Sequence, residues 1–85
     1  MQPNKSLNAI TKNAASPYKM VCQRVRTVRL NNKLTQKEFA LKLKTTRENL
    51  NQIERGTHAP SIQIMRMLKK NYGITYGWLI DGKDE

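Results

Sequence analysis

The chain has 85 residues and a formal net charge of +10, from 16 Lys and Arg against 6 Asp and Glu. That length holds one small domain with a single core that is just sufficient. The lone cysteine, Cys22, excludes an internal disulfide, so packing alone must stabilise the fold. Three of the six acids, Asp81, Asp84 and Glu85, crowd into the last five residues, which leaves the rest of the chain strongly basic. Such a surface attracts polyanions: nucleic acid first, an anionic membrane surface second. No apolar run approaches about 18 residues and no signal-peptide pattern is present, so a cytoplasmic protein is the default. One Cys22 and one His58 cannot build a zinc site of the usual kind, and no metal or other cofactor is expected.

Residues 1–15, MQPNKSLNAITKNAA, are polar and lack a period, which reads as a flexible N-terminal arm. Lys5 and Lys12 could touch a phosphate backbone from it. The folded domain spans 16–82, and 83–85 form an acidic tail. Ser16-Pro17 predicts the start of a first helix, as N-cap and first helical residue. Val21, Val25 and Val28 then make one apolar stripe, which fades at Asn31-Asn32-Lys33. Thr35-Gln36-Lys37-Glu38 is a capping box opening a short second helix with Phe39, Ala40 and Leu43 on its buried face. Thr46 caps a third helix, Arg47 to Arg55, which Gly56 ends. Ser61 caps a fourth, with Ile64, Met65, Leu68 and Tyr72 on its apolar face, closed by Gly73. A last helix runs from about Thr75 to Ile80, with Trp78 and Leu79 inside, and Asp81-Gly82 ends it. The sum is five short helices, no strand and no internal repeat: an all-α fold.

The third helix, RENLNQIER, holds only two apolar residues, Leu50 and Ile53. At about 100° per residue these face the core, and Glu48, Asn51, Gln52 and Arg55 gather on the other side, with Arg47 in the first turn. Arg, Glu, Asn and Gln are the side chains whose donors and acceptors match base edges. Arg pairs with guanine, Asn or Gln with adenine, and Glu accepts from cytosine. The helix is therefore read as one that enters a major groove. A merely solvated face is the alternative, and Glu48 would then serve the helix dipole.

Two capped helices joined by a short turn make a helix-turn-helix. The run LTQKEFALKLKTTRENLNQIERGTHAPS resembles the Xre/Cro/repressor family of phage-type helix-turn-helix proteins, through Leu34-Thr35-Gln36, Glu38-Phe39-Ala40, Leu43, Thr46-Arg47, Leu50, Ile53 to Gly56 and Pro60-Ser61. Tyr72 to Thr75, Trp78 to Ile80 and Gly82 are similar to the end of that domain. The resemblance implies a five-helix, lambda-repressor-like DNA-binding domain with its helix-turn-helix at helices 2 and 3. It implies base contacts from Arg47, Glu48 and Gln52, with Asn51 as an accessory. Gln36 would bond a backbone phosphate and brace the third helix. Thr46, Arg55, Thr57 and Lys37 would lie along phosphates. Arg29 and Glu54 would form an internal ion pair, and Tyr76 with Ile80 a dimer contact. Two departures stand out. Family members often have Gly where this chain has Lys44, and the loop after the third helix lacks the basic residues that some phage repressors carry there.

Cys22 reads as a packed thiol, Trp78 as core, His58 as a solvated loop residue, and Met20, Met65 and Met67 as core or near-core filler. No Ser/His/Asp set and no Gly-rich phosphate loop supports an enzyme. The expected function is sequence-specific binding of double-stranded DNA by a homodimer that regulates transcription from a palindromic operator. No small-molecule ligand is evident. The rival is a protein-binding module, such as an antitoxin or accessory factor, in which DNA binding is secondary. A second rival binds RNA or a membrane by charge alone.

Overall fold

The computed structural model describes residues 18–83. They form α1 (Lys19–Asn31), α2 (Gln36–Lys42), α3 (Arg47–Glu54), α4 (Ile62–Tyr72) and α5 (Tyr76–Asp81), and no strand occurs among the described residues. The arm and the Ser16-Pro17 helix start lie outside the described residues. Within them α1 begins after Tyr18, which makes no side-chain cap.

Each later helix starts on a hydroxyl. Thr35, Thr46, Ser61 and Thr75 accept from the backbone N–H groups of Glu38, Asn49, Ile64 and Trp78. Each cap satisfies a donor that the helix itself leaves unpaired. At α2 the box is complete, because the Thr35 N–H donates to Glu38 Oε1 at 2.8 Å. That backbone bond first, and the Thr35 hydroxyl second, hold the Glu38 carboxyl below its ordinary pKa. The stabilisation is therefore present above the ordinary pKa and is lost as pH falls through the lowered one.

The helix ends share a second device, a residue in the left-handed region. At α3 it is Gly56, as the sequence predicts, but at α1 and α2 it is a lysine, Lys33 at φ 56° and Lys44 at φ 57°. Both lysines sit in Schellman turns. At α2 the Lys44 N–H donates to Leu41 O at 3.1 Å and the Thr45 N–H to Ala40 O at 2.9 Å. At α1 the same pattern joins Lys33 to Leu30 and Leu34 to Arg29. Asn71 Nδ2 adds a bond to Lys42 O from α4 at 3.0 Å. The lysines carry a Cβ penalty that a glycine would not.

The core is assembled from every helix: Val21, Cys22, Val25 and Val28 from α1, Phe39 and Ala40 from α2, Leu50 and Ile53 from α3, Ile64 and Leu68 from α4, and Leu79 from α5, with Leu43 from the turn. Phe39 and Tyr72 pack with ring centroids 5.6 Å apart at a tilted angle that suits aromatic pairs. Trp78, Met65 and Met67 lean on this core from its edge. Met20 does not: it is 50% exposed. It lies one residue before the Val21 stripe, about 100° round the helix, and so faces solvent.

Lys44→Gly should raise stability by about 0.5–1 kcal/mol, the relieved left-handed strain less the extra entropy of an unfolded glycine. Gly73→Ala is the converse. No atom within 4 Å would meet the added Cβ, so strain at φ 68°, less the entropy that alanine removes from the unfolded chain, should cost about 0.5–1 kcal/mol. Thermal unfolding of both variants checks the pair of signs.

Candidate nucleic-acid interface

The site is built on the carboxylate of Glu54, the last residue of α3. Arg29 of α1 grips it as a fork, Nε to Oε2 at 2.8 Å and Nη2 to Oε1 at 3.0 Å. The remaining Arg29 Nη1 donates to Leu34 O at 2.9 Å, in the turn that ends α1. Gln36, the first residue of α2, donates from Nε2 to Glu54 Oε1 at 3.2 Å and to Asn51 Oδ1 at 3.3 Å. The Glu54 side chain is only 4% exposed and that of Arg29 13%. Three helices thus meet on one buried anion. A bidentate guanidinium fixes direction as well as charge, so α3 is oriented against α1 and α2 together.

Arg26 also approaches Glu54, at 3.9 Å, but its side chain is 58% exposed. A pair so open to water contributes little. The sequence reading passed over Arg26, although it lies three residues before Arg29 and so on the same face of α1. With Lys19, Gln23, Thr27 and Arg55 it lines a cleft of about 320 Å³ between α1 and the end of α3. The cleft is basic and opens beside the polar face of α3.

That face holds what the sequence placed there. Leu50 and Ile53 are fully buried. Arg47, Glu48 and Arg55 are exposed, and Asn51 and Gln52 are half-buried at its base. Thr46 is exposed and accepts from the Asn49 N–H, so its own hydroxyl proton stays available. Asn49 donates to Thr45 Oγ1 at 2.9 Å and so stiffens the turn. Lys37 is exposed on the first turn of α2. Gln36 spends both hydrogens of its amide on Asn51 and Glu54, which ties the start of α2 to α3. Its free Oε1 is an acceptor that cannot bond a phosphate oxygen, so a phosphate could reach Gln36 only through the main-chain N–H at the helix start. Thr57 stands just past α3 with its hydroxyl turned onto Gln52.

A family model described as a helix-turn-helix domain matches residues 22–85, which takes in all of this geometry. The chain belongs to the helix-turn-helix domain family. No curated protein and no solved structure matches it. The family assignment agrees with the Cro/repressor resemblance and with the all-helical fold.

Two further features of this helix-turn-helix protein bear on the site. Cys22 is fully buried, and its Sγ donates to His58 O at 3.2 Å, which ties the loop after α3 back to α1. Burial pushes its thiol above the ordinary pKa, so it is a packing group rather than a reactive one. His58 is exposed, as expected of a loop residue. Tyr76 and Ile80 are 37% and 48% exposed and share a shallow hollow with Ile62, Met65 and Arg66. Lys69 Nζ lies 4.8 Å from the centre of the Tyr76 ring, within cation–π range. Arg24 of α1 holds this end in place, donating from Nη1 to Leu79 O at 3.2 Å and Ile80 O at 3.3 Å. Among the described residues no helix is long and apolar enough to cross a membrane. No cluster of potential metal ligands occurs among them either.

Arg29→Met should cost about 3–5 kcal/mol, because it strands a buried carboxylate. Adding Glu54→Leu should recover most of that loss, since the double variant leaves no charge uncompensated. Denaturant unfolding of the single and double variants measures the coupling. Equal costs that simply add would show that the pair does not interact.

Proposed function

We propose that the protein is a sequence-specific, double-stranded-DNA-binding regulator that lays α3 in a major groove. The observation that carries this is the exposed polar face of α3, held rigidly by a buried ion pair on a capped helix-turn-helix. A helix kept for stability alone has no need of that anchoring. Arg47 and Glu48 lead into the groove, with Asn51 and Gln52 behind them, and each has a matching base edge. Lys37, the Thr46 hydroxyl, Arg55 and the main chain of Gln36 flank them and suit phosphates, whereas the hydroxyl and N–H of Thr57, expected along phosphates, both go to Gln52. One recognition helix covers few base pairs, so two copies would bind a palindrome with half-sites about 34 Å apart. The exposed apolar strip around Tyr76 and Ile80 is suited to join them. Occupying such an operator would block or recruit polymerase.

Selection of bound duplexes from a random library, at near-physiological salt, tests this reading. An inverted repeat should be enriched, and Gln52→Ala should lose about 1–3 kcal/mol of discrimination at one or two base pairs. Lys37→Ala should instead weaken all sequences alike and lower the salt slope by about 1. If scrambled duplexes compete as well as any selected site, the face does not read sequence. Stoichiometric capture of a protein partner without operator binding would favour the rival module, whose partner would then occupy the apolar strip.

A further inference from the structure

Lys19, Gln23 and Arg26 recur at spacings of four and three along α1, so they form a stripe of their own beside the valine stripe. The stripe makes one wall of the cleft of about 320 Å³, and Glu54, Arg55 and Gly56 at the end of α3 make the other. Three cations, Lys19, Arg26 and Arg55, therefore share this cleft with one acid, Glu54.

That acid is already spent. Its Oε1 accepts Arg29 Nη2 at 3.0 Å and Gln36 Nε2 at 3.2 Å, and its Oε2 accepts Arg29 Nε at 2.8 Å. Both lone pairs of Oε1 are thus filled, and Arg26, at 3.9 Å, stays outside hydrogen-bond distance. Lys19 and Arg55 have no ion-pair partner among the described residues. Residues 1–37 contain no acid at all. The end of α3 is closed by its own Schellman turn, in which the Gln52 and Ile53 carbonyls accept the Thr57 and Gly56 N–H groups. The helix dipole favours a cation at this end, but weakly at an exposed site, while the cations repel one another. Leu30 and Cys22 add apolar wall, which focuses the field of the charges between them. One of the three is also placed in advance: a Cβ built on Gly56 would lie 3.5 Å from Lys19 Cγ, so the lysine stem packs along the end of α3.

We propose that this cleft binds a phosphate group, with Arg26 as its fork and Lys19 and Arg55 as flanking charges. A planar guanidinium matches two phosphate oxygens at once, and a lysine serves as a point charge. A phosphate monoester brings up to two charges and three acceptor oxygens. A nucleic-acid strand brings one charge per phosphate, repeated along the chain. Either source meets three cations better than a lone carboxylate does. The inference stands apart from the reading of α3 as a recognition helix, and only the DNA source of the phosphate rests on that reading.

Titration of the full chain with inorganic phosphate at neutral pH, followed by proton–nitrogen correlation spectra, tests the site. Sodium chloride of equal ionic strength is the reference. Phosphate should give saturable shifts in the Arg26 Nε–H signal and in the backbone signals of residues 19–27 and 54–56. Arg26→Gln should weaken this binding by at least about tenfold, the worth of a hydrogen-bonded charge. Arg66→Gln removes the same charge from α4 and should leave it unchanged. Arg26 is 58% exposed, and thermal unfolding shows that both variants are folded. Shifts no larger than those in chloride, or equal weakening by both substitutions, overturn the proposal, because general charge and not a site would then attract the anion. The salt dependence of duplex binding identifies the source. A slope lower by about 1 in Arg26→Gln, for every sequence alike, places a backbone phosphate in the cleft. An unchanged slope beside saturable phosphate binding assigns the cleft to a free phosphorylated molecule. If no duplex binds at all, the reading of α3 fails, and the phosphate titration still decides the cleft.

Discussion

One carboxylate decides how α3 is set against its neighbours. α3 has 8 residues, too few to hold a helix in water unaided, so its position comes from packing and from the Glu54 cluster. Leu50 and Ile53 supply the apolar anchor, but apolar contacts are not directional. Arg29 and Gln36 supply direction, one from α1 and one from the first turn of α2. Burying such a pair adds little net stability against a well-packed apolar substitute. Its value here is angular: it holds Asn51 and Gln52 at a defined tilt to the two helices that carry the flanking cations.

Much of this fold was legible because its signals are local. A Thr or Ser ahead of an apolar period marks a helix start, and Thr35, Thr46, Ser61 and Thr75 each behave so. The buried faces followed from period and spacing, as with Val21, Val25 and Val28. What stayed hidden depends on contacts far apart in the chain or on conformations that the residue type conceals. Arg29 and Glu54 are 25 residues apart, and the pairing came from family resemblance rather than from any pattern in the chain. Arg24 reaches across 55 residues to Leu79, with nothing local to announce it. Lys33 adopts the left-handed region without the glycine or asparagine that would have signalled it. Gln36 was expected to brace α3 and bond a phosphate, but only the hydrogen-bond partners show that bracing consumes its donors. The Thr57–Gln52 bond is local, yet it needs the Schellman geometry before the two side chains can meet.

The electrostatics follow the same division. The only acid inside the helix-turn-helix core is neutralised by Arg29, so the cations around it are left free to act outward. Lys19, Arg26 and Arg55 line one cleft beside α3, and Lys37 stands on the next helix. Cations exposed on α1, α2 and at the end of α3 attract polyanions to these helices. Glu48 is the exception in this field: an exposed acid among cations weakens charge-driven binding, while in the first turn of α3 it complements the helix dipole.

Arg24 has a consequence beyond capping α5. It and Arg29 lie five residues apart on α1, about 140° round the helix, so they bind neighbours on two different sides. One guanidinium fastens α3 and the other fastens the helix that bears Tyr76 and Ile80. The angle between those two surfaces is therefore carried by a single rod of 13 residues rather than summed over loops. In a two-copy assembly that joins through the apolar strip, α1 would act as a stiff gauge for operator spacing. Each base pair inserted between half-sites shifts one of them by about 3.4 Å and turns it by about 34°. A gauge without a compliant joint has little means to absorb either.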